Sequence, residues 1–172
     1  MEETAVSQGF VVRRGEGDGV ELGGLGVEFK ISGQQTNGLL AVVEHPIAPG
    51  RLVPPHLHQD EDECSFVIAG TIGARIGDAH FEAGPGDYVW KPRGVPHTFW
   101  NPGPEPARVL EMIVPSGFEN FFKETGRLNE SGLPFEQLVV ARSELARRYK
   151  HDFVEGWAEE LKAAYGLRLL GE

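Results

Sequence analysis

The feature that most constrains this chain is the spacing of two histidines and a glutamate in the first half of the sequence. His56 and His58 are separated by a single residue, and Glu63 follows after four more. In an extended strand, residues two apart lie on the same face, so both imidazoles can bind one ion. After a turn or bulge, the Glu63 carboxylate can approach the same point from the next strand segment. His97 lies in a second glycine- and proline-rich block downstream.

These residue types indicate a transition-metal site. Three imidazoles and one carboxylate suit the divalent ions of iron, manganese, nickel, cobalt and zinc, whereas calcium prefers a cage of oxygen atoms. We therefore predict one divalent transition-metal ion, with Fe(II) as the first choice and Ni, Mn, Co or Zn as alternatives. Its predicted ligands are His56, His58, Glu63 and His97. The alternative is a buried cluster that holds no ion, in which the same side chains hydrogen-bond one another at a cost in desolvation.

The two blocks resemble the signature motifs of the cupin superfamily. The first block reads GRLVPPHLHQDEDECSFVIAG and the second reads GDYVWKPRGVPHTFWN. The marker positions are Gly50, His56, His58, Glu63 and Gly70 in the first block, and Gly86, Pro92, Gly94, His97 and Asn101 in the second. Glu61 and Asp62 compete with Glu63 as the ligand, but only Glu63 keeps the six-residue gap to Gly70. The resemblance implies a small jelly-roll barrel, the double-stranded β-helix, with the four ligands converging on a metal inside it.

Short apolar segments between turn residues support an all-β fold up to about residue 115. They have the length and spacing that are typical of strands in a sandwich or barrel. The predicted strands are 26–32, 39–47, 65–68, 72–76, 87–91, 97–101 and 108–114. Residues 25–115 are therefore assigned to the barrel. Residues 1–24 are assigned to a flexible N-terminal segment with a possible edge strand at 10–12.

From Ser116 the apolar period changes to that of helices, so residues 116–172 are interpreted as a helical extension of the same domain. Ser116 and Glu119 have the spacing of a capping box, and an aromatic face follows that ends at Gly126. A second helix is predicted over 135–149, with Phe135, Leu138, Val139, Leu145 and Tyr149 on its apolar side. Asp152 and Glu155 indicate the start of a third, ending near Gly166. We thus expect two or three helices packed on the barrel.

Composition restricts the classes of partner. The formal net charge is -10 and no cluster of Lys and Arg is present, which argues against binding nucleic acid. No apolar run approaches the length of a membrane span, and the N-terminus does not resemble a signal peptide. Cys64, the single cysteine, cannot form an internal disulfide, which fits a cytoplasmic location. We expect a small-molecule substrate and a homodimer formed through edge strands.

The resemblance also implies a function. Four protein ligands on a six-coordinate ion leave positions for substrate and dioxygen, and the chain resembles the single-domain, quercetinase-like cupins that cleave flavonols. The predicted function is a metal-dependent dioxygenase for a small enolic or aromatic substrate, with Glu63 doubling as the catalytic base. Strand parity makes Val67 and Phe99 candidate pocket walls. The alternatives are a redox-neutral isomerase or cyclase and a non-catalytic ligand-binding module. His45, His80 and His151 stand outside the motifs and are not expected to be ligands.

Overall fold

The computed structural model describes residues 9–172, in which two β-sheets face each other and three helices follow. The strands are β1 (Gly19–Glu21), β2 (Gly26–Ile31), β3 (Ala41–Ile47), β4 (Arg51–Leu52), β5 (His56–His58), β6 (Asp62–Ala69), β7 (Ile72–Ile76), β8 (Ala79–Ala83), β9 (Tyr88–Lys91), β10 (His97–Trp100), β11 (Ala107–Val114), β12 (His151–Phe153) and β13 (Arg168–Leu169). The helices are α1 (Glu119–Glu130), α2 (Phe135–Arg148) and α3 (Trp157–Tyr165). The predicted all-β barrel with C-terminal helices is therefore confirmed, and the helices number three.

Non-sequential strand neighbours give the two sheets a wound topology. The first sheet has the order β1-β2-β3-β11-β6-β9. The second has the order β12-β5-β10-β4-β13, and β7 joins it by pairing with both β10 and β8. β13 pairs in parallel with β4, while the other named pairs are antiparallel. Since β12 and β13 belong to the second sheet, the C-terminal extension completes the barrel as well as packing on it.

Alternating burial along the central strands explains why this sequence forms two facing sheets. In β3 and β11, every second residue is buried. Residues of opposite parity point to opposite faces of a strand, so one face of each strand enters the shared interior. The main apolar cluster there contains Ile47, Val67 and Val109 from the first sheet and Ile72 and Phe99 from the second. Polar residues that lie on the inward face of these strands are therefore buried in the interior too.

The start of α1 differs from the predicted capping box. The N-cap position is Phe118, and no side chain caps it by a hydrogen bond. Glu119 performs the related task instead, because its carboxylate accepts hydrogen bonds from the backbone N–H of Gly117 at 2.6 Å and of Gly33 at 2.9 Å. Glu119 is buried and thereby ties the first turn of the helix to the loop after β2. Ser116 precedes this arrangement and does not cap the helix.

The sequence predicted that α1 ends at Gly126, and this prediction is wrong. The helix continues to Glu130. Gly126 is buried where α1 crosses β1, and a β-carbon at this position would lie 2.9 Å from Cγ1 of Val20. The glycine therefore permits close packing of helix on strand, which a helical glycine can do without terminating the helix.

The remaining differences concern the N-terminal segment and the second and third helices. The apolar segment 10–12 forms no strand, and the edge strand is β1 instead. Residues 1–8 lie outside the described part, so the predicted flexible segment is only partly covered. In α2, Leu145 is buried as predicted, whereas Phe135 and Val139 are exposed. The third helix begins at Trp157 rather than near Asp152, which belongs to β12. Within residues 9–172, none of the helices has the length and apolar character to span a bilayer.

Candidate metal centre

The four predicted ligands meet at one point between the two sheets. His56 and His58 lie on β5, and His97 lies directly opposite His56 on the neighbouring β10. Glu63 approaches from β6 in the facing sheet. All four side chains are buried, and one ligand atom of each lies within 4.8 Å of those of the other three. The spacing in the sequence thus corresponds to a compact cluster of three imidazoles and one carboxylate.

Backbone carbonyl groups fix the orientation of two of the imidazoles. Nδ1 of His56 lies 2.6 Å from the carbonyl oxygen of Pro54, and Nδ1 of His97 lies 3.0 Å from that of Val95. A histidine that donates its Nδ1 proton to such an acceptor has its Nε2 lone pair free for a metal. Both contacts span only two residues, so the local strand geometry sets the ring orientation.

The neighbouring acidic residues take different positions, and only Glu63 reaches the centre. Its Oε1 lies 3.2 Å from Nε2 of His58. Glu61 lies on the far side of the same ring, with Oε2 3.9 Å from Nδ1 of His58. Asp62 points outward, where Arg93 donates to its carboxylate. Of the three carboxylates, only that of Glu63 therefore belongs to the buried cluster, while Glu61 is a neighbour of His58.

The unpaired nitrogens of the cluster fit a bound cation. Among residues 9–172, both ring nitrogens of His58 and Nε2 of His97 are buried without a well-aligned hydrogen-bond partner. Burial lowers the pKa of His56 and His97, which keeps these imidazoles neutral at pH 7. Neutral imidazoles are the form that binds metals, and buried polar atoms without partners are costly. The donor set therefore matches a divalent transition metal better than a self-contained polar cluster.

A buried lysine, which sequence analysis did not identify, holds the second oxygen of Glu63. Lys91 is 1% exposed, and its Nζ lies 3.0 Å from Oε2 of Glu63 and 2.7 Å from Oε2 of Glu111. The hydroxyl of Ser65 donates to the same oxygen of Glu111 at 2.7 Å. Although burial alone would lower the pKa of Lys91, the two carboxylates raise it, so the ammonium stays charged. The alternating burial of β9 carries Lys91 inward.

The lysine also determines the acid–base character of Glu63. Burial by itself would raise the pKa of this carboxyl, but the adjacent ammonium of Lys91, together with the contacts to the imidazoles of His58 and His97, outweighs it and holds the pKa well below its usual value. Glu111 differs, because burial raises its pKa to about 7 despite its contact with Lys91. One ammonium thus faces two carboxylates, and Glu63 is the one that stays ionised. This favours Glu63 as a ligand over Glu63 as a proton acceptor.

A cavity of about 400 Å³ lies next to the cluster. His56 and Glu63 form part of its wall, so a molecule in the cavity can reach the centre. Much of the remaining wall is aromatic, namely Phe99, Phe118, Phe121, Phe122 and Phe153. Of the two predicted pocket residues, Phe99 lines the cavity, whereas Val67 is fully buried in the apolar core beside it. The volume and the apolar walls are those of a small-molecule site.

His151, which stands outside the sequence motifs, lies next to the centre. It lies on β12 directly opposite His58, and its ring stacks on that of His58 with 5.2 Å between centroids and 9° between planes. It also lines the cavity, and burial lowers its pKa to about 3. The only local signal was the short segment 151–153, which could not show its pairing with a distant strand. His45 lines the cavity as well, with Nδ1 2.9 Å from the carbonyl oxygen of Gly26, while His80 is exposed on β8.

Comparisons with known proteins agree with this geometry. A family model described as "Cupin domain" matches residues 44–113. KdgF from a Halomonas species aligns with a TM-score of 0.57 and 17% identity, covering 66% of this chain and 99% of that one. A protein described as a predicted oxalate decarboxylase from Thermotoga maritima gives a TM-score of 0.56 and 18% identity, covering 61% and 98%.

A third solved structure is more similar in sequence. The polyketide cyclase RemF from Streptomyces resistomycificus aligns with a TM-score of 0.54 and 25% identity, covering 62% of this chain and 80% of that one. No curated protein matches the sequence significantly. Residues 44–113 therefore match the model of a cupin domain, and the chain has the cupin fold, with three C-terminal helices added to it.

Proposed function

We propose that the chain is a mononuclear metal-dependent enzyme for a small enolic or aromatic substrate, and that its reaction is a quercetinase-like dioxygenation. One observation carries the proposal: the buried cluster of three imidazoles and a carboxylate borders, through His56 and Glu63, an aromatic cavity of about 400 Å³. Such a cavity holds a molecule of a few fused or linked rings. Fe(II) remains the first choice of metal, and Ni, Mn, Co or Zn suit the same ligands.

Each group in the site has a distinct task in this proposal. A bound metal would supply a Lewis acid that favours the enolate form of the substrate, beside a position for dioxygen. His56, His58, His97 and Glu63 hold it. The cavity phenylalanines, Phe99 among them, pack on the flat rings of the substrate and exclude water. Glu63 acts as a base only if its carboxylate moves away from Lys91. Its predicted second role as a catalytic base therefore requires a movement of the side chain.

Elemental analysis followed by oxygen uptake tests the proposal. The protein is loaded with each candidate metal and screened with flavonols, other enols and phenols in an oxygen electrode. We expect oxygen consumption that depends on both metal and substrate, and its loss in His97→Gln but not in the matched control His80→Gln, which alters an exposed histidine. Substrate turnover that continues undiminished without dioxygen would overturn the dioxygenase assignment.

A redox-neutral cyclase or isomerase is the second candidate, and the similarity to RemF favours it. RemF is described as a polyketide cyclase and is 25% identical to this chain over 62% of its length. The same metal would then act as a Lewis acid without dioxygen. Product formation under anaerobic conditions supports this candidate, whereas tight binding of a ligand that is never converted supports a non-catalytic binding module.

The expected homodimer is a further proposal, for which the outer face of the first sheet is the candidate surface. Tyr88, Trp90 and Ile68 are exposed there, at 68%, 56% and 39%. β9 is also the edge strand of this sheet, and exposed apolar edges favour association. We predict that Trp90→Asp converts a dimer into a monomer in light-scattering measurements, and an unchanged mass would exclude this surface. A cytoplasmic location and the lack of nucleic-acid partners stay predictions.

A further inference from the structure

We propose that His151 is a substrate-binding residue, whose imidazole forms a hydrogen bond with an oxygen atom of the ligand held at the metal centre. It would thereby select ligands that carry a second oxygen next to the one bound by the metal. The inference rests on the proposed function, because it requires a metal in the cluster and an oxygen-bearing molecule in the cavity. It assigns a role in recognition to the C-terminal extension, which lies outside the matched domain.

The first observation is the position of His151 in the second sheet. β12 pairs with β5 in antiparallel register, with His151 opposite His58 and Phe153 opposite His56. Residues directly opposite in an antiparallel pair have side chains on the same face. The ring of His151 consequently lies beside the metal ligands, with centroids 4.5 Å from the ring of His56 and 5.2 Å from that of His58. The strand pairing holds this position rigidly.

The second observation is the lack of polar partners for the ring. His151 is 7% exposed, and within residues 9–172 neither of its nitrogens has a hydrogen-bond partner. Phe118 and Phe121 pack edge-to-face against it, at 5.3 and 4.8 Å between centroids. A neutral imidazole has one donor and one acceptor, and leaving both unpaired is costly. Because the residue lines the cavity, a bound molecule is the available partner.

The orientation of the ring argues against His151 as a fifth metal ligand. A ring nitrogen binds a metal along its lone pair, which lies in the plane of the imidazole. The rings of His151 and His58 are stacked, and their planes are only 9° from parallel. The nitrogen lone pairs of the two rings therefore do not point at one nearby ion. Among the described residues, the group with mutually close ligand atoms likewise consists of the four predicted residues without His151. The geometry therefore points to a contact between His151 and the small molecule that is bound at the metal.

The test uses the full chain loaded with Co(II) and the chelator tropolone as the probe, since tropolone is flat and has two adjacent oxygen atoms. Binding is followed anaerobically through the visible absorption of Co(II), and metal content is measured for each variant. His151→Phe keeps an aromatic ring but has no polar atom, His151→Gln restores a donor and an acceptor, and His80→Phe is the matched control on exposed β8.

We expect His151→Phe to bind one equivalent of Co(II) like the unaltered chain, with the Kd for tropolone raised about tenfold, as for the loss of one hydrogen bond. His151→Gln should recover part of the affinity, and His80→Phe should change nothing. The inference would be overturned if the Kd of His151→Phe for tropolone stayed within twofold of the original, or if this variant failed to bind Co(II). It would also be overturned if the unaltered chain did not bind tropolone. Failure of the proposed dioxygenase would appear separately, as absent oxygen uptake in a protein that binds tropolone normally.

Discussion

Replacing Glu111 with glutamine tests whether this buried carboxyl keeps its proton up to about neutral pH in the metal-free protein. Burial is the main reason that the pKa of Glu111 is raised from 4.5 to about 7, and the negative charge of Glu63 adds to it, while Lys91 opposes it. Because the folded protein binds this proton more tightly than the unfolded chain does, stability falls as the pH rises from about 4.5 to 7. At about 1.4 kcal/mol per pH unit, the loss amounts to about 3 kcal/mol.

The assay is urea denaturation in the presence of a chelator at pH 5 and pH 8. For the unaltered chain, the free energy of unfolding should fall between these values by about 2.5 kcal/mol more than it does in Glu111→Gln, since glutamine does not titrate and part of the full loss falls below pH 5. Titrating groups distant from Glu111 are common to both proteins and cancel in the comparison. Glu82→Gln, which removes an exposed carboxylate on β8, is the control and should keep the original pH dependence. An equal pH dependence in Glu111→Gln would refute the raised pKa of Glu111.

Two further predictions concern the neighbours of the centre and the packing of the second sheet. Glu61→Gln removes the carboxylate beside Nδ1 of His58 and should weaken metal affinity about tenfold in a competition assay with a chelator, as for other groups that orient ligands; unchanged affinity would exclude this role. In Gly73→Ala, the new β-carbon would lie 2.1 Å from the indole of Trp100, so we expect a loss of about 2 kcal/mol and a fall in Tm of roughly 6 °C. Gly84→Ala, whose new β-carbon would meet only a carboxylate oxygen of Asp87 at 3.9 Å, is the control, and equal melting of the two variants would contradict the packing argument.

The parts of the site that follow from local periodicity could be predicted from the sequence. His56 and His58 share a face because they are two apart in a strand, and the resemblance supplied Glu63 and His97. The turns at Gly70 and Gly86 were also predictable, since both adopt positive φ values of 71° and 95° that favour glycine. These features depend on residues close together in the chain or on motifs with fixed spacing.

The parts that depend on long-range pairing could not be predicted in this way. His151 reaches the centre only because β12 pairs with β5, and nothing in the segment 151–153 reveals its partner strand. Lys91 was predicted within a strand, but its burial becomes understandable only when Glu63 and Glu111 are seen to face it. Gly126 was interpreted as a helix end because its contact with Val20 is not visible in the sequence. In each of these cases the decisive contact joins residues that are far apart in the chain.

The most direct test of the central claim is the stoichiometry of bound metal. We predict that the chain, purified and dialysed against each candidate divalent metal, retains one ion per chain by elemental analysis. His58→Ala should lower this occupancy sharply, and His80→Ala, on exposed β8, should retain it. Melting temperature should rise with metal in the unaltered chain and not in His58→Ala. Metal content and melting temperature that are both unchanged in His58→Ala would contradict the assignment of these four residues as a metal centre.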